Sequence, residues 1–425
     1  MDVKTVEIID MDLCGRGIGK NDGKAVFIPG AVTGDTVLYK TSVSKKKYDI
    51  GELVEIKSPS PERHDPECSI FGTCGSCSFA NISRKLELDT KKKAVISAFR
   101  RAGFKDFHVE KIISGNHTEY RNKVILHSDG NGKYGFYDSG SHRCTGGSDC
   151  LLIPDIFNKI ARFIESYISD NPFFVPKSIM MRLGNGKVMV AVETDIFGGG
   201  SYLLGAINDA FDEVVSFYEY NGNPTSYETK FKLLFGEKYI TTDFSNIRLR
   251  ISPKSFFQIN NEIAGSLCDE ICTMLSPNDG DIIYDLYCGI GTIGLTVAKR
   301  FPNARIIGVE INESAVADAR FNCKLSNIQN AEFICCDAGH ITTYEKCPHA
   351  VIVDPPRFGL TDTMISNIIS ISPKSLIYMS CNPDTLAGDT KKLMSSGYIV
   401  NKCIAGDMFP ECAHVETVIC MTKQD

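Results

Sequence analysis

A chain of 425 residues with 43% apolar and 23% charged side chains has the make-up of an ordinary folded protein, with room for two or three domains and at least one large core. Its formal charge of −6 gives no global pull on a polyanion, so any nucleic acid must be held by a local basic surface. No apolar run nears membrane-spanning length, and the first residues lack the apolar stretch of a signal peptide. A cytoplasmic protein with no membrane partner is therefore expected, its 17 cysteines mostly reduced, and a monomer is the expected state.

Residues 1–57 read as short strands (Val3–Glu7, Lys24–Ile28, Thr36–Lys40, Leu53–Ile56) punctuated by glycines. That pattern predicts a small OB-like β-barrel, an architecture that often binds oligonucleotides. The basic run Lys45-Lys46-Lys47 beside Tyr48 adds little, because charge runs are usually solvated loops. Ser58-Pro59-Ser60-Pro61 reads as a linker. A cysteine cluster follows, then a helix from Arg84 to Phe99. Residues 62–245 form this cysteine segment and a mixed, β-rich central α+β domain, with strands around Tyr120–Phe136 and a helix around Ile156–Ile168.

From 246 to 425 the pattern becomes regular. Strands are predicted at Ile282–Tyr287, Arg305–Glu310, Glu332–Cys336, Ala350–Asp354, Ser375–Ser380, Tyr398–Ala405 and Val415–Met421. Spacers between the first five suit crossover helices and parallel pairing. The link from Gly406 to His414 is too short and Pro-broken for a helix, so the last strand should run antiparallel beside the sixth. The fold class is α/β, with a Rossmann-like sheet of seven strands at the C-terminus.

Ligands in such sheets bind outside the carboxyl ends of the strands. Two strands end there on reactive residues: one on Asp354 before Pro355-Pro356-Arg357, the other on Cys381 before Asn382-Pro383. Another meets Gly289-Ile290-Gly291-Thr292-Ile293-Gly294, a match to G-x-G-x-x-G, with Glu310 about 20 residues on, placed for a ribose hydroxyl. By itself this also fits a dinucleotide. Asp285, just before the loop, favours the cationic sulfonium of S-adenosylmethionine (SAM) over a pyrophosphate. Cys68, Cys74 and Cys77 with the distant Cys150 make a four-thiolate set for an iron–sulfur cluster or zinc, and Cys144 is a substitute fourth ligand. The thiols of Cys14, Cys268, Cys272, Cys323, Cys335, Cys336, Cys347, Cys403, Cys412 and Cys420 read as core or surface residues.

The motifs Asp285-Leu286-Tyr287-Cys288-Gly289-Ile290-Gly291, Asp354-Pro355-Pro356-Arg357-Phe358-Gly359, Ser380-Cys381-Asn382-Pro383-Asp384 and Asp407-Met408-Phe409-Pro410…His414-Val415-Glu416 together resemble the RNA uracil-5-methyltransferases, along nearly the whole chain. The resemblance implies an N-terminal TRAM domain, a 4Fe–4S cluster on Cys68, Cys74, Cys77 and Cys150, and SAM contacts from Gln258, Tyr287, Glu310 and Asp354, with Asp337 and the loop residues Gly289, Gly291 and Thr292. Thr292 departs from an asparagine common in the family, Cys412 from a threonine and Gly388 from an arginine. The implied chemistry is methylation of uridine carbon-5, with Cys381 as nucleophile and Glu416 as the base that removes the carbon-5 proton. Arg357 is the expected cation beside the thiol, Phe358 and Phe409 are candidate stacking platforms, and Arg121-Asn122-Lys123 matches a motif near the RNA. The iron–sulfur branch implies a ribosomal RNA substrate (23S), with transfer RNA as the alternative. The rival readings are an amino-group methyltransferase, an iron–sulfur redox or sensor protein that binds RNA, and a flavin or nicotinamide oxidoreductase.

Overall fold

The computed structural model describes the chain except residues 1, 142, 148, 227, 344–347 and 425. Cys347 therefore lies outside the described residues. The N-terminal strands β1 (Lys4–Met11), β2 (Arg16–Asn21), β3 (Lys24–Pro29), β4 (Thr36–Ser44) and β5 (Tyr48–Ser58) close a barrel in the order β1-β2-β3-β5-β4. Alternation buries Val6, Ile8, Val26, Ile28, Val37 and Tyr39 at its centre. β2 lies outside the four strands predicted, because Gly17 and Gly19 hide its alternation.

Helix α1 (Arg84–Ala102) starts on a Ser83 cap, whose side chain accepts from the Leu86 N–H, and ends on Gly103 in the left-handed conformation. β6 (Lys111–Ile113) follows. The central domain is a seven-stranded sheet made of β7 (Lys123–Ser128), β8 (Tyr134–Tyr137), β9 (Cys144–Gly146), β10 (Ser178–Gly184), β11 (Lys187–Glu193), β12 (Val214–Tyr220) and β13 (Phe231–Gly236), in the order β13-β12-β11-β10-β7-β8-β9. Its helices are α2 (Asp155–Asp170) and α3 (Ser201–Ala210). The pair β14 (Ile240–Phe244) and β15 (Ile247–Ile251) leads into α4 (Asn261–Met274).

The C-terminal sheet alternates β16 (Ile282–Leu286), α5 (Thr292–Arg300), β17 (Arg305–Glu310), α6 (Glu313–Leu325), β18 (Ala331–Cys335), β19 (Ala350–Val353), α7 (Asp362–Ile371), β20 (Ser375–Ser380) and α8 (Pro383–Met394), then closes with β21 (Tyr398–Gly406) and β22 (Glu416–Lys423). Its order is β18-β17-β16-β19-β20-β22-β21-β6. β22 is antiparallel to both neighbours, as its short connection requires. The sheet has eight strands rather than the seven expected, because β6 adds in parallel to β21 from far upstream. Helix α1 also reaches this domain, where Lys391 on α8 donates to the carbonyl of Ala102.

A deeply buried polar network pins α1 to the loop between β21 and β22. Lys91 is fully buried and pairs with Glu87 at 2.6 Å, with Asp407, and with the Phe409 carbonyl at 2.9 Å; Arg84 joins Glu87 and Asp407. With both carboxylates answered, the network is satisfied. Removing the lysine would strand buried charge, at a cost of about 3–5 kcal/mol.

Candidate active site

Two adjacent strands deliver the central pair. β20 ends at Ser380, and Asn382 caps α8, its side chain accepting from the Asp384 N–H at 3.1 Å. Cys381 therefore sits between a strand end and a helix N-terminus, whose partial positive charge favours a thiolate. β22 pairs Thr417 with Ser380. One further step of that register sets Cys381 opposite Glu416, and opposed residues project to the same face.

Electrostatics places two more groups beside them. Burial and Glu416 push the Cys381 thiol up to about 11, against a downward pull from Arg357. Glu416 is 5% exposed; burial, and then Asp354, lift its carboxyl to about 8, again opposed by Arg357. Arg357 is thus the cation shared by nucleophile and carboxylate, and its Nη2 lies 3.3 Å from His414 Nε2.

The glycine loop lies at the end of β16. Asp285 is 1% exposed, and its Oδ2 accepts from the Gly294 N–H at 2.8 Å, while Oδ1 is buried without a partner. Burial, with Asp354 and Glu310 nearby, lifts this carboxyl to about 7, and burial lifts Asp354 to about 7 as well. A buried acceptor with no donor, among further carboxylates, fits a positively charged ligand. Tyr287 holds φ 62°, a strained value for a side-chain-bearing residue and one that marks functional sites. Gly291 has φ 84°, and a Cβ there would meet the Phe333 ring at 2.8 Å, so only glycine fits. Glu310 accepts from the Gly289 N–H at 3.2 Å and the Asn312 N–H at 2.8 Å, which fixes its carboxylate over the loop mouth. Thr292 opens α5. Asp337 is exposed, with its side chain turned to the Gly339 N–H at 2.8 Å.

Gln258 lies in the loop before α4, and its carbonyl accepts from Asn122 Nδ2 at 2.7 Å. The Arg121-Asn122-Lys123 motif is therefore a buttress: Asn122 also donates to Asn261, and Lys123 opens β7. Phe358 is 69% exposed, as a stacking platform must be, whereas Phe409 is half-buried against His414.

A cavity of about 460 Å³ connects Cys381, Asn382, Arg357 and His414 to the barrel, reached through Asp12 and Cys14 between β1 and β2, and to Lys93 and Arg101 of α1. The lip of the barrel thus faces the candidate nucleophile.

The cysteine segment is only partly gathered. Gly75 N–H donates to the Tyr137 carbonyl at 3.0 Å, which ties the loop to the central sheet, and Cys150 lies within electrostatic reach of Cys68 and Cys77. Cys144 donates instead to the His127 carbonyl at 2.9 Å. Among the described residues, no group of three or more cysteine, histidine or acidic side chains takes a metal-holding arrangement. The neighbouring Cys412 and burial hold the Cys77 thiol above its ordinary range. Cys412, expected to be an inert core or surface thiol, is buried but has polar neighbours: Arg121 Nη2 at 3.0 Å and Tyr120 Oη at 3.8 Å. The neighbouring Cys77, assisted by Arg121, draws the Cys412 thiol below its ordinary range, to about 6. The departure from threonine at this position was the signal available in the sequence.

Residues 277–423 match the family described as a methyltransferase domain. A protein of Halalkalibacterium halodurans named an uncharacterized RNA methyltransferase is 31% identical over 98% of this chain and 96% of its own. Another of the same name, from Caldanaerobacter subterraneus subsp. tengcongensis, is 30% identical over 99% of both chains. The crystal structure of Pyrococcus abyssi tRNA (uracil-54, C5)-methyltransferase in complex with S-adenosyl-L-homocysteine covers 99% of this chain and 100% of that chain, with TM-score 0.81 and 24% identity. The chain belongs to the RNA methyltransferase family and has the fold of a uracil-C5 methyltransferase.

Proposed function

We propose that the protein methylates carbon-5 of a uridine in RNA, with ribosomal RNA (23S) favoured over transfer RNA and the barrel serving as a TRAM-like RNA-binding domain. The observation that carries this is the ladder that pairs Ser380 with Thr417, one residue from Cys381 and from Glu416, which lie within electrostatic reach of each other, beside a glycine loop suited to a sulfonium. An amino-group methyltransferase has no use for that thiol.

Bound SAM supplies an electrophilic methyl group. Gln258, Asp285, Tyr287, Glu310, Asp337 and Asp354, with Gly289, Gly291 and Thr292, form its proposed site. The Cys381 sulfur adds to carbon-6, and the ring electrons it displaces make carbon-5 nucleophilic. After carbon-5 has taken the methyl group, the Glu416 carboxylate removes its proton and the ring re-forms as the sulfur leaves. Arg357 stabilises the sulfur while it is anionic. The target base must leave its stack to reach this edge, and Phe358 is placed to receive a ring. Incubation of ribosomal and transfer RNA with labelled SAM, followed by nucleoside mass spectrometry, should yield 5-methyluridine. Methylated adenosine as the only product would refute the reading.

A 4Fe–4S cluster on Cys68, Cys74, Cys77 and Cys150 belongs to the same proposal and is supported by the spacing. It requires the four sulfurs to converge, and iron and sulfide content after isolation without oxygen tests it.

The buried acids predict a pH effect. Asp285 and Asp354 are raised to about 7, so folding favours their protonated forms. Their contribution is full below the ordinary carboxyl range of about 4 and is lost as pH rises through about 7. The ligand-free melting temperature should therefore fall between about pH 4 and about pH 7. Asp285→Asn should flatten that slope, and SAM, a cation, should restore more stability at the upper end than neutral S-adenosylhomocysteine. Equal restoration by both would remove the carboxylates as sulfonium partners.

A further inference from the structure

Arg357 reaches the Cys381 cavity from a loop whose backbone is fixed. Its carbonyl accepts from Asn382 Nδ2 at 3.1 Å and from Thr385 Oγ1 at 3.4 Å, so the residue sits against the start of α8, next to Cys381. The residue is nevertheless exposed, and an exposed arginine samples many rotamers. Among the described residues no carboxylate pairs with its guanidinium; the group that holds it is His414, whose Nε2 lies 3.3 Å from Nη2. A guanidinium only donates, so Nε2 must accept, the ring proton sits on Nδ1 and the imidazole is neutral. Burial and then Arg357 lower the His414 pKa, in agreement with that state. The imidazole is held in turn. The Phe409 ring meets it edge to face at 5.3 Å, and the Phe409 carbonyl accepts from the fully buried Lys91 at 2.9 Å. The next residues are fixed too: Tyr120 Oη donates to the Pro410 carbonyl at 3.0 Å, and the Glu411 N–H donates to Glu87 Oε1 at 2.8 Å. Arg357, His414 and Cys381 line the same cavity.

We infer that His414 is a positioning residue, whose neutral imidazole holds the Arg357 guanidinium at the wall of the Cys381 cavity. Arg357 is the cation that opposes burial, Glu416 and Asp354 at the Cys381 thiol. An arginine released from His414 spends less of its time near the sulfur, and the thiolate loses its counter-charge. In this role His414 moves no proton and acts on the sulfur through Arg357. For its effect on methyl transfer the inference rests on the proposed uridine reaction; its effect on the sulfur does not.

The test is the rate at which iodoacetamide alkylates Cys381 in the full chain, in mildly alkaline buffer, followed on the Cys381 peptide by mass spectrometry. Asparagine and glutamine separate the two ring nitrogens. Asparagine puts its amide where Nδ1 stood and falls short of Arg357, whereas glutamine sets an accepting oxygen near the place of Nε2. Loss of a nearby cation raises a thiol by about one unit, which makes thiolate about tenfold scarcer and each thiolate about threefold more nucleophilic. His414→Asn should therefore slow alkylation about threefold, as Arg357→Met does, and His414→Gln should restore it. In an Arg357→Met background His414→Asn should add nothing, since its route to the sulfur is gone. A disturbed fold would change the rate in both backgrounds alike. That result, or an unchanged rate in His414→Asn, would overturn the inference. Labelled SAM and RNA are given to the same preparations, where His414→Asn should lower kcat and leave the KM for RNA in place. If the alkylation pattern holds while the unaltered protein makes no 5-methyluridine, the uridine reading fails and the placement of Arg357 by His414 stands.

Discussion

Cys381→Ser should lower methyl transfer by at least about four orders of magnitude, the scale on which removing a nucleophile acts in other covalent enzymes. Serine keeps the geometry at the end of β20 and the cap on α8 but offers an alcohol, which is not ionised at neutral pH and adds poorly to a pyrimidine. Binding of SAM should change little, since Asp285 and the glycine loop lie on β16 and not on β20. Rapid-quench transfer from labelled SAM and equilibrium binding, measured on the same preparation, read the two effects separately. Retained transfer, or a parallel loss of SAM affinity, would each contradict the role given to this sulfur.

Glu416→Gln should leave sulfur addition and methylation possible and stall the step after them. The amide cannot accept the carbon-5 proton, so a methylated RNA should stay attached to Cys381. Release should slow by about 10²–10⁴, the usual worth of a positioned base. A shifted band on denaturing gels, carrying both label and RNA, is the expected result; free methylated RNA at the normal rate would assign the base elsewhere. In the unaltered protein the carboxyl must ionise to act, and burial with Asp354 holds it near 8. Turnover should therefore rise as pH passes that value.

Much of the catalytic sheet was legible because its strands are continuous apolar runs ending on chemistry. Ser375–Ser380 and Arg305–Glu310 have the bounds read from the sequence. The antiparallel insertion of β22 followed from a connection too short for a helix. β6 was illegible for a physical reason: three residues at an edge carry no periodicity, and their partner, β21, lies almost 300 residues away in the chain. The same distance hid Asp407, the remote member of the Lys91 network, whereas Glu87 stands four residues before Lys91 on one helix. Cys412 is buried, as a core thiol should be, but its neighbours in sequence gave no hint of Arg121, which reaches it only through the fold. At Glu416 the sequence offered a strand start, and its place near the thiol came from the ladder that pairs its neighbour Thr417 with Ser380.

That ladder has a consequence for how such proteins diversify. The separation of thiol and carboxylate is inherited from hydrogen-bonded backbone, the least mutable dimension in a protein. Side chains on the barrel lip, a separate domain, can drift without detuning the candidate pair. Descendants of one ancestor are thereby free to acquire new recognition targets while the chemical step stays as it was.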